Sequence, residues 1–178
     1  MIERPGAPLS DGDIVLRLFK EDDVPRLLEA ARDPDIPRLT NLPKLESEDW
    51  ARAWLERIED LWRDGARATF AIADAASDDL LGSIGVRLVD ANGQIGYWVL
   101  ASARGRGIAT RALRLLADWA FSVGFARLQL LTEPENAASQ RVAENAGFRR
   151  EGLLRSYIEL KGRRADGIMF ARLPGDRG

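Results

Sequence analysis

The chain has 178 residues, of which 46% are hydrophobic and 30% charged, a composition that suits one soluble domain with a buried core. The formal net charge of -2 argues against wholesale binding to nucleic acid or to a membrane surface, where a strong basic excess is expected. The chain has no cysteine and no histidine, which excludes disulfides, cysteine-ligated metals and a Ser-His-Asp triad. Chemistry at any active site must therefore rely on carboxylates, hydroxyls, backbone amides and water.

The first elements in chain order are predicted to be a strand and two helices. Residues 14–19 alternate between apolar and other side chains and predict a strand. An amphipathic helix follows, with Pro25 in its first turn, and the proline-rich segment 33–44 is predicted to be a loop. A second helix begins after the capping residue Ser47 and ends at Gly65. Its apolar face consists of Trp54, Ile58, Leu61 and Trp62.

The middle of the chain predicts a three-stranded meander followed by a long helix. The strands cover residues 68–75, 80–90 and 91–100, and Asn92-Gly93 predicts a tight hairpin turn. The helix runs to about residue 123. Apolar residues at helical spacing predict its buried stripe: Ile108, Ala112, Leu115, Leu116, Trp119 and Val123.

The last elements are predicted to be a strand over 126–133, a short helix closed by Gly147, and two strands joined near Lys161-Gly162. The long helix forms a β-α-β crossover, so the strands on either side of it should be parallel and the others mainly antiparallel. This pattern predicts an α/β (α+β) fold with a mixed sheet of six to seven strands and about four helices. We expect one domain over residues 14–173, an N-terminal extension over 1–13 and a tail over 174–178.

The stretch ARGRGIAT, residues 103–110, stands between a predicted strand and the long helix. A helix N-terminus has unpaired N–H groups, and glycines let an oxyanion approach them closely. Arg104 and Arg106 add positive charge, so the stretch suits a phosphate or pyrophosphate; the alternative is a glycine-rich turn with solvated arginines. A P-loop is excluded because Gly-Lys-Ser and Gly-Lys-Thr are absent. A nicotinamide dinucleotide site is disfavoured because Thr110 replaces the third glycine of that motif.

Two sequence blocks resemble those of one enzyme family, the GNAT N-acetyltransferases. ARGRGIAT, which follows GYWV, resembles the family's coenzyme A motif R/Q-x-x-G-x-G/A, and NAASQRVAENAGF resembles its second block. The matching residues are Arg104, Gly107, Ala109, Asn136, Ser139, Val142, Gly147 and Phe148. The resemblance covers roughly residues 14–173 and is strongest to the RimJ/RimL-like branch, whose members acetylate ribosomal-protein N-termini.

The resemblance implies the GNAT fold, with one splayed pair of parallel strands, and acetyl-CoA as co-substrate without a metal. It implies direct acetyl transfer to a primary amine, either a protein N-terminus or a small amine such as a polyamine, an amino acid or an antibiotic. The alternative is a non-catalytic acyl-CoA-binding module on the same fold. The residues implied to contact coenzyme A are Val99, Leu100, Arg104, Gly105, Arg106, Gly107, Ile108, Ala109, Thr110, Asn136 and Ser139.

The proton acceptor is predicted to be a carboxylate that acts through water, because the chain has no histidine. The absence of cysteine also excludes an acetyl-cysteine intermediate, which favours direct transfer. Glu133, at the end of a strand of the splayed pair, is the candidate base. Glu135 and Glu159 are rivals, and simple solvation is the alternative for each of the three.

The proton donor cannot be the residue that many family members use. Their tyrosine corresponds to Ala143 in this sequence. Ser139 is the predicted substitute, as a hydrogen-bond donor to the coenzyme sulfur; the alternative is that it only orients coenzyme A or stabilises its helix. Asn136 is predicted to cap that helix and, by the resemblance, to lie beside the pantetheine arm.

The aromatic residues are predicted to serve mainly in packing. Tyr97 and Trp98 lie on opposite faces of a strand, so one faces the core while the other lines a pocket, and Tyr97 is either a core aromatic or a contact to substrate. Trp50, Trp54 and Trp62 are predicted to pack the second helix rather than to stack on bases.

We expect a cytoplasmic protein without a signal peptide or membrane span. The exposed edges of the last two strands make a homodimer plausible.

Overall fold

Eight strands form one mixed sheet in the computed structural model, which describes residues 2–44 and 46–176. The strands are β1 (Leu9–Ser10), β2 (Ile14–Arg17), β3 (Arg67–Asp74), β4 (Leu80–Val89), β5 (Asn92–Val99), β6 (Leu128–Thr132), β7 (Arg149–Leu160) and β8 (Arg163–Arg172). The α-helices are α1 (Val24–Arg32), α2 (Ile36–Leu39), α3 (Glu48–Arg63), α4 (Ile108–Ser122) and α5 (Ala137–Asn145). No helix in this part of the chain is long and apolar enough to cross a membrane.

The strand order is β1-β2-β3-β4-β5-β6-β8-β7, and every neighbouring pair is antiparallel except β5 and β6. The predicted α/β fold with one parallel pair is therefore confirmed. β5 and β6 pair only at Gly93 with Leu128 and at Gln94 with Gln129. Beyond these residues the two strands are no longer paired, which opens a gap in the middle of the sheet.

The sheet has one more strand and the fold one more α-helix than predicted. The extra strand is β1, which is only two residues long and pairs with β2. The extra helix is α2, which interrupts the segment predicted to be a loop. Its first turn forms because the Asp33 side chain accepts hydrogen bonds from the amides of Asp35 and Ile36, and Pro37 is tolerated near a helix start.

The predicted hairpin turn at Asn92-Gly93 is wrong by two residues. The turn is formed by Asp90 and Ala91, with φ angles of 48° and 66°, and Val89 pairs with Asn92. Gly93 lies in β5 instead, where a Cβ atom would come within 2.6 Å of the Leu128 side chain. This glycine therefore serves close packing rather than a turn.

Two hydrophobic clusters cover the two faces of the sheet. The first contains the buried face of α4 and includes Phe70 and Trp119, whose ring centroids lie 5.2 Å apart. The second contains residues of α1, α2 and α3 and includes Trp98. Trp98 therefore faces α1 to α3, whereas its neighbour Tyr97 packs against the first cluster.

Three helix residues depart from their predicted burial. Val123 is 39% exposed because α4 ends at Ser122, one residue before it. Leu115 is only partly buried. Trp50 is 61% exposed in the first turn of α3, beside the first buried residue of that helix, Ala51.

Candidate active site

A cleft of about 1240 Å³ occupies the gap between β5 and β6. One wall is the loop before α4, and another is the start of α5 together with the end of β6. Further walls come from α2, α3 and β7, and the floor from β3 and β4. The cleft therefore joins the stretch 103–110 to the second motif block, which the sequence placed about 30 residues further along the chain.

The start of α4 offers a cradle of free backbone amides. Gly105 and Gly107 both have φ angles of 75°, and Gly107 precedes α4 without a side-chain cap. The amides of residues 105–110 donate no hydrogen bond within the described part of the chain, and Arg111 is the first that does. A Cβ atom on either glycine would meet nothing within 4 Å. Left-handed backbone and open space at a helix N-terminus suit a bound oxyanion.

The two arginines of this loop point to different places. Arg104 donates from Nε to the Val99 carbonyl at 3.1 Å and from its guanidinium to Asp33 at 2.8 Å. Burial works against ionisation of Asp33, but the bond from Arg104 and two backbone amides lower its pKa overall. Arg106 instead lines a smaller cavity of about 280 Å³, beside Asp74. The phosphate contacts of both arginines stay predictions. The Arg104 guanidinium is already engaged in an ion pair with Asp33.

Two of the predicted coenzyme contacts, Leu100 and Arg106, do not line the cleft. Leu100 is 1% exposed, and its amide donates to the Leu81 carbonyl at 2.9 Å. It therefore has no free amide to offer to a pantetheine arm. Val99 does line the cleft, although its carbonyl accepts the bond from Arg104.

Ser139 lies in the first turn of α5 and is held from two sides. Asn136 caps the helix, as predicted, by accepting a hydrogen bond from the Ser139 amide at 3.0 Å. The Ser139 hydroxyl lies 2.8 Å from the hydroxyl of Tyr97 on β5. Burial raises the pKa of Tyr97 to about 12, while the bond to Ser139 opposes that shift. Tyr97 is therefore protonated at neutral pH and able to donate to Ser139.

The position of the family's usual tyrosine is part of the core. Ala143 is completely buried, four residues after Ser139 on α5. A phenol nevertheless reaches α5, because Tyr97 approaches from the facing strand. Tyr97 packs against the first cluster, as a core aromatic would, and it also lines the cleft. Its contact to substrate stays a prediction.

The three candidate carboxylates differ in their surroundings. Glu133 is 9% exposed and lines the cleft, and its two carboxylate oxygens accept bonds of 3.2 and 2.5 Å from Arg163. Glu159 also lines the cleft but is exposed, and it pairs with Arg164 at 3.3 Å. Glu135 is exposed and does not line the cleft. Of these three candidates, Glu133 is therefore the one that is both buried and in the cleft.

The cleft has further polar residues that the sequence interpretation missed. Arg67 and Thr69 on β3 and Arg87 on β4 line its floor, on the side of α1 to α3. Arginines near strand ends are typical of ordinary surface, so no local pattern singled them out. Only the strand register brings them together. Groups of three or more acidic, cysteine or histidine side chains able to hold a metal ion do not occur in residues 2–44 and 46–176.

The chain belongs to the GNAT acetyltransferase family, since the family model described as "Acetyltransferase (GNAT) domain" matches residues 13–149. The protein named Uncharacterized N-acetyltransferase p20 from Bacillus licheniformis is 32% identical over 164 residues, which cover 90% of this chain and 92% of that protein. The predicted family and enzyme class are thereby confirmed.

Solved structures extend the similarity to the RimJ/RimL-like branch. Mycobacterium smegmatis RimJ in complex with CoA-disulfide is 26% identical, with a TM-score of 0.80 over 94% of this chain and 86% of that one. RimL, described as a ribosomal L7/L12 alpha-N-protein acetyltransferase in complex with coenzyme A, has a TM-score of 0.80 at 23% identity, over 93% and 96% of the two chains. The predicted resemblance to this branch is confirmed.

Proposed function

We propose that the protein moves the acetyl group of acetyl-CoA directly to a primary amine, with a protein N-terminus as the leading acceptor. The observation that carries this proposal is that one cleft joins the free amides before α4, the gap between β5 and β6, and the Ser139 hydroxyl. The names of RimJ with CoA-disulfide and of RimL support the donor and the acceptor.

Each part of the cleft has a task in this reaction. The amides of residues 105–110 hold the pyrophosphate, and the thioester lies in the gap between the strands. The amine attacks the thioester carbonyl, the carbon–sulfur bond breaks, and a proton must move from the ammonium towards the leaving sulfur. Ser139 donates a hydrogen bond to the sulfur, and Tyr97 donates to the Ser139 oxygen, so the serine hydrogen is free to point away from Tyr97.

Binding of the donor can be tested without knowing the acceptor. A ligand at about 100 times its Kd adds roughly 2.7 kcal/mol of stability, which raises the melting temperature of a domain of this size by roughly 5–11 °C. We expect this rise with acetyl-CoA and with coenzyme A, and none with NAD. Differential scanning fluorimetry measures it, and the absence of a rise with either coenzyme A species would remove the proposal's main support.

The role of Glu133 can be tested by replacing its carboxylate. If Glu133 accepts the proton through water, Glu133→Gln removes the acceptor, and we expect that variant to lose about 100-fold in kcat/KM at neutral pH. Glu159→Gln is the matched control, because Glu159 lines the same cleft and its replacement should leave kcat/KM nearly unchanged. Steady-state kinetics measure both variants, and an unchanged kcat/KM in Glu133→Gln would place the base elsewhere.

A further inference from the structure

On the floor of the cleft, paired residues of β3, β4 and β5 form rows that run across the three strands. Arg67 on β3 pairs with Arg87 on β4, which in turn pairs with Gln94 on β5. In the next row along the strands, Gly85 lies between Thr69 and Gly96. Cross-strand neighbours share one face of a sheet. This face carries Trp98 and packs on α1 to α3, so it is the opposite face from Tyr97 and Ser139.

Two of the three residues in the second row are glycines, and the first row is charged. Gly96 is exposed, and a Cβ atom there would meet nothing within 4 Å, so the space above Gly96 is open, whereas a Cβ atom at Gly85 would come within 2.6 Å of the Ala68 carbonyl oxygen. The first row closes one end of that space with Arg67, Arg87 and Gln94, all of which line the cleft. The result is a trough with a glycine floor and a cationic end.

The two arginines of this end have no anionic partner in the described part of the chain. Neither Arg67 nor Arg87 lies within 4 Å of a carboxylate oxygen of residues 2–44 and 46–176, and Arg87 donates only to the Gln94 side-chain oxygen, at 2.8 Å. The Arg67 Nε atom is buried without a partner, and so is the hydroxyl of Thr69, a residue only 5% exposed. Burial and the charge of Arg87 together lower the pKa of Arg67.

An unpaired, partly buried guanidinium beside a like charge lowers the stability of the folded protein unless a bound anion neutralises its charge. Of the other arginines that line the cleft, Arg104 binds Asp33, whereas Arg57 and Arg141 are exposed and have no carboxylate oxygen within 4 Å in residues 2–44 and 46–176. Arg67 differs from these two exposed arginines because its Nε atom is buried without a partner. A guanidinium fork binds carboxylates with two parallel hydrogen bonds, which is the interaction that Arg67 and Arg87 still offer.

We propose that the acceptor amine carries a carboxylate, which Arg67 and Arg87 bind at the closed end of the trough. This inference rests on the proposed acetyl transfer and specifies its acceptor. The charged row lies two residues, or about 7 Å, along β5 from Gly96. The carboxylate belongs either to an acidic side chain just after a peptide N-terminus or to a free amino acid, and the experiment separates these two sources.

The test compares two matched pairs of acceptors in steady-state acetylation. The peptide amides Ala-Asp-Gly-Gly and Ala-Asn-Gly-Gly differ only in a side-chain carboxylate, whereas alanine and alaninamide differ only in the main-chain carboxylate. We expect kcat/KM to favour the anionic member of one pair by about 10- to 100-fold, the range of a charge-assisted hydrogen bond. Equal rates within both pairs would overturn the inference.

Variants then show whether the two arginines cause the preference. Arg67→Gln and Arg87→Gln should each remove most of it, chiefly by raising the acceptor KM, while the KM of acetyl-CoA stays unchanged. Arg67→Lys, which keeps the charge but loses the fork, should restore part of it. Arg150→Gln is the charge-matched control, since Arg150 is exposed on β7 and does not line the cleft. A preference that survives both glutamine variants would overturn the inference.

A binding experiment tests the carboxylate site independently of acetyl transfer. Isothermal titration of the coenzyme A complex with the acetylated products of the same four amines measures anion preference without turnover. Tighter binding of the anionic products, abolished by Arg67→Gln, supports the trough even if no amine is acetylated, which would contradict only the proposed function. Equal binding of anionic and neutral products would overturn the further inference.

Discussion

Replacing Ser139 by alanine is expected to lower kcat by about 100-fold while the Kd of acetyl-CoA changes by less than about threefold. The hydroxyl would donate to a sulfur that acquires negative charge only as the thioester breaks, so its loss affects the transition state more than binding. The fold should tolerate the change, because the helix-capping hydrogen bond to Asn136 is donated by the Ser139 amide and not by its side chain. Single-turnover kinetics and calorimetric titration with acetyl-CoA measure the two quantities.

Two companion variants separate the serine's chemistry from its position. Tyr97→Phe keeps the ring in the first hydrophobic cluster but removes the hydroxyl that lies 2.8 Å from Ser139. We expect a smaller loss of about tenfold, because the serine keeps its hydroxyl and loses only its orientation. Ser139→Thr should recover part of the activity. Full turnover in Ser139→Ala with unchanged coenzyme affinity would show that this hydroxyl has no part in the chemistry.

Gly107→Val is expected to weaken acetyl-CoA binding by about 100-fold or more. Gly107 has a φ angle of 75°, a region in which a β-branched residue costs of the order of 1–3 kcal/mol. No protein atom lies within 4 Å of the added Cβ position, so the side chain would occupy the open space from which an oxyanion approaches the amides. The variant should therefore lose affinity well beyond its loss of stability.

Gly124→Val is the control that isolates binding from backbone strain. Gly124 has a φ angle of 101° and an equally open Cβ position, but it follows the other end of α4, away from the cleft. Both variants should melt at a lower temperature than the unchanged protein. Only Gly107→Val should lose coenzyme affinity in a calorimetric titration, and an equal loss in both would count against the amide cradle.

Local signals accounted for much of the fold. Asn136 caps α5 and the Lys161-Gly162 turn joins β7 to β8, because capping and tight turns depend on the residues that form them. The stretch 103–110 was found for the same reason, since its glycines and the helix start are neighbours in the chain. The prediction of a turn at Asn92-Gly93 was wrong because Gly93 is required for close packing against Leu128, a residue distant in the chain.

The parts of the site that were missed depend on pairs far apart in the chain. Tyr97 and Ser139 are 42 residues apart, and Arg104 and Asp33 are 71 apart, so neither contact leaves a local pattern. A bond between β5 and α5 appears only once the crossover is folded. The missing family tyrosine at Ala143 was visible in the sequence, but the phenol that reaches the same helix from another strand was not.

The bare floor of the trough has a consequence for how this protein can diverge. A Cβ atom at Gly96 would meet no neighbouring atom within 4 Å and the residue needs no left-handed backbone, so a small side chain fits there without disturbing the pairing of β4 and β5. Gly105 and Gly107 lack this freedom because of their backbone angles. If the trough receives the acceptor as proposed, substitutions at Gly96 would change which amines fit without straining the backbone, whereas substitutions at Gly105 or Gly107 would strain it first.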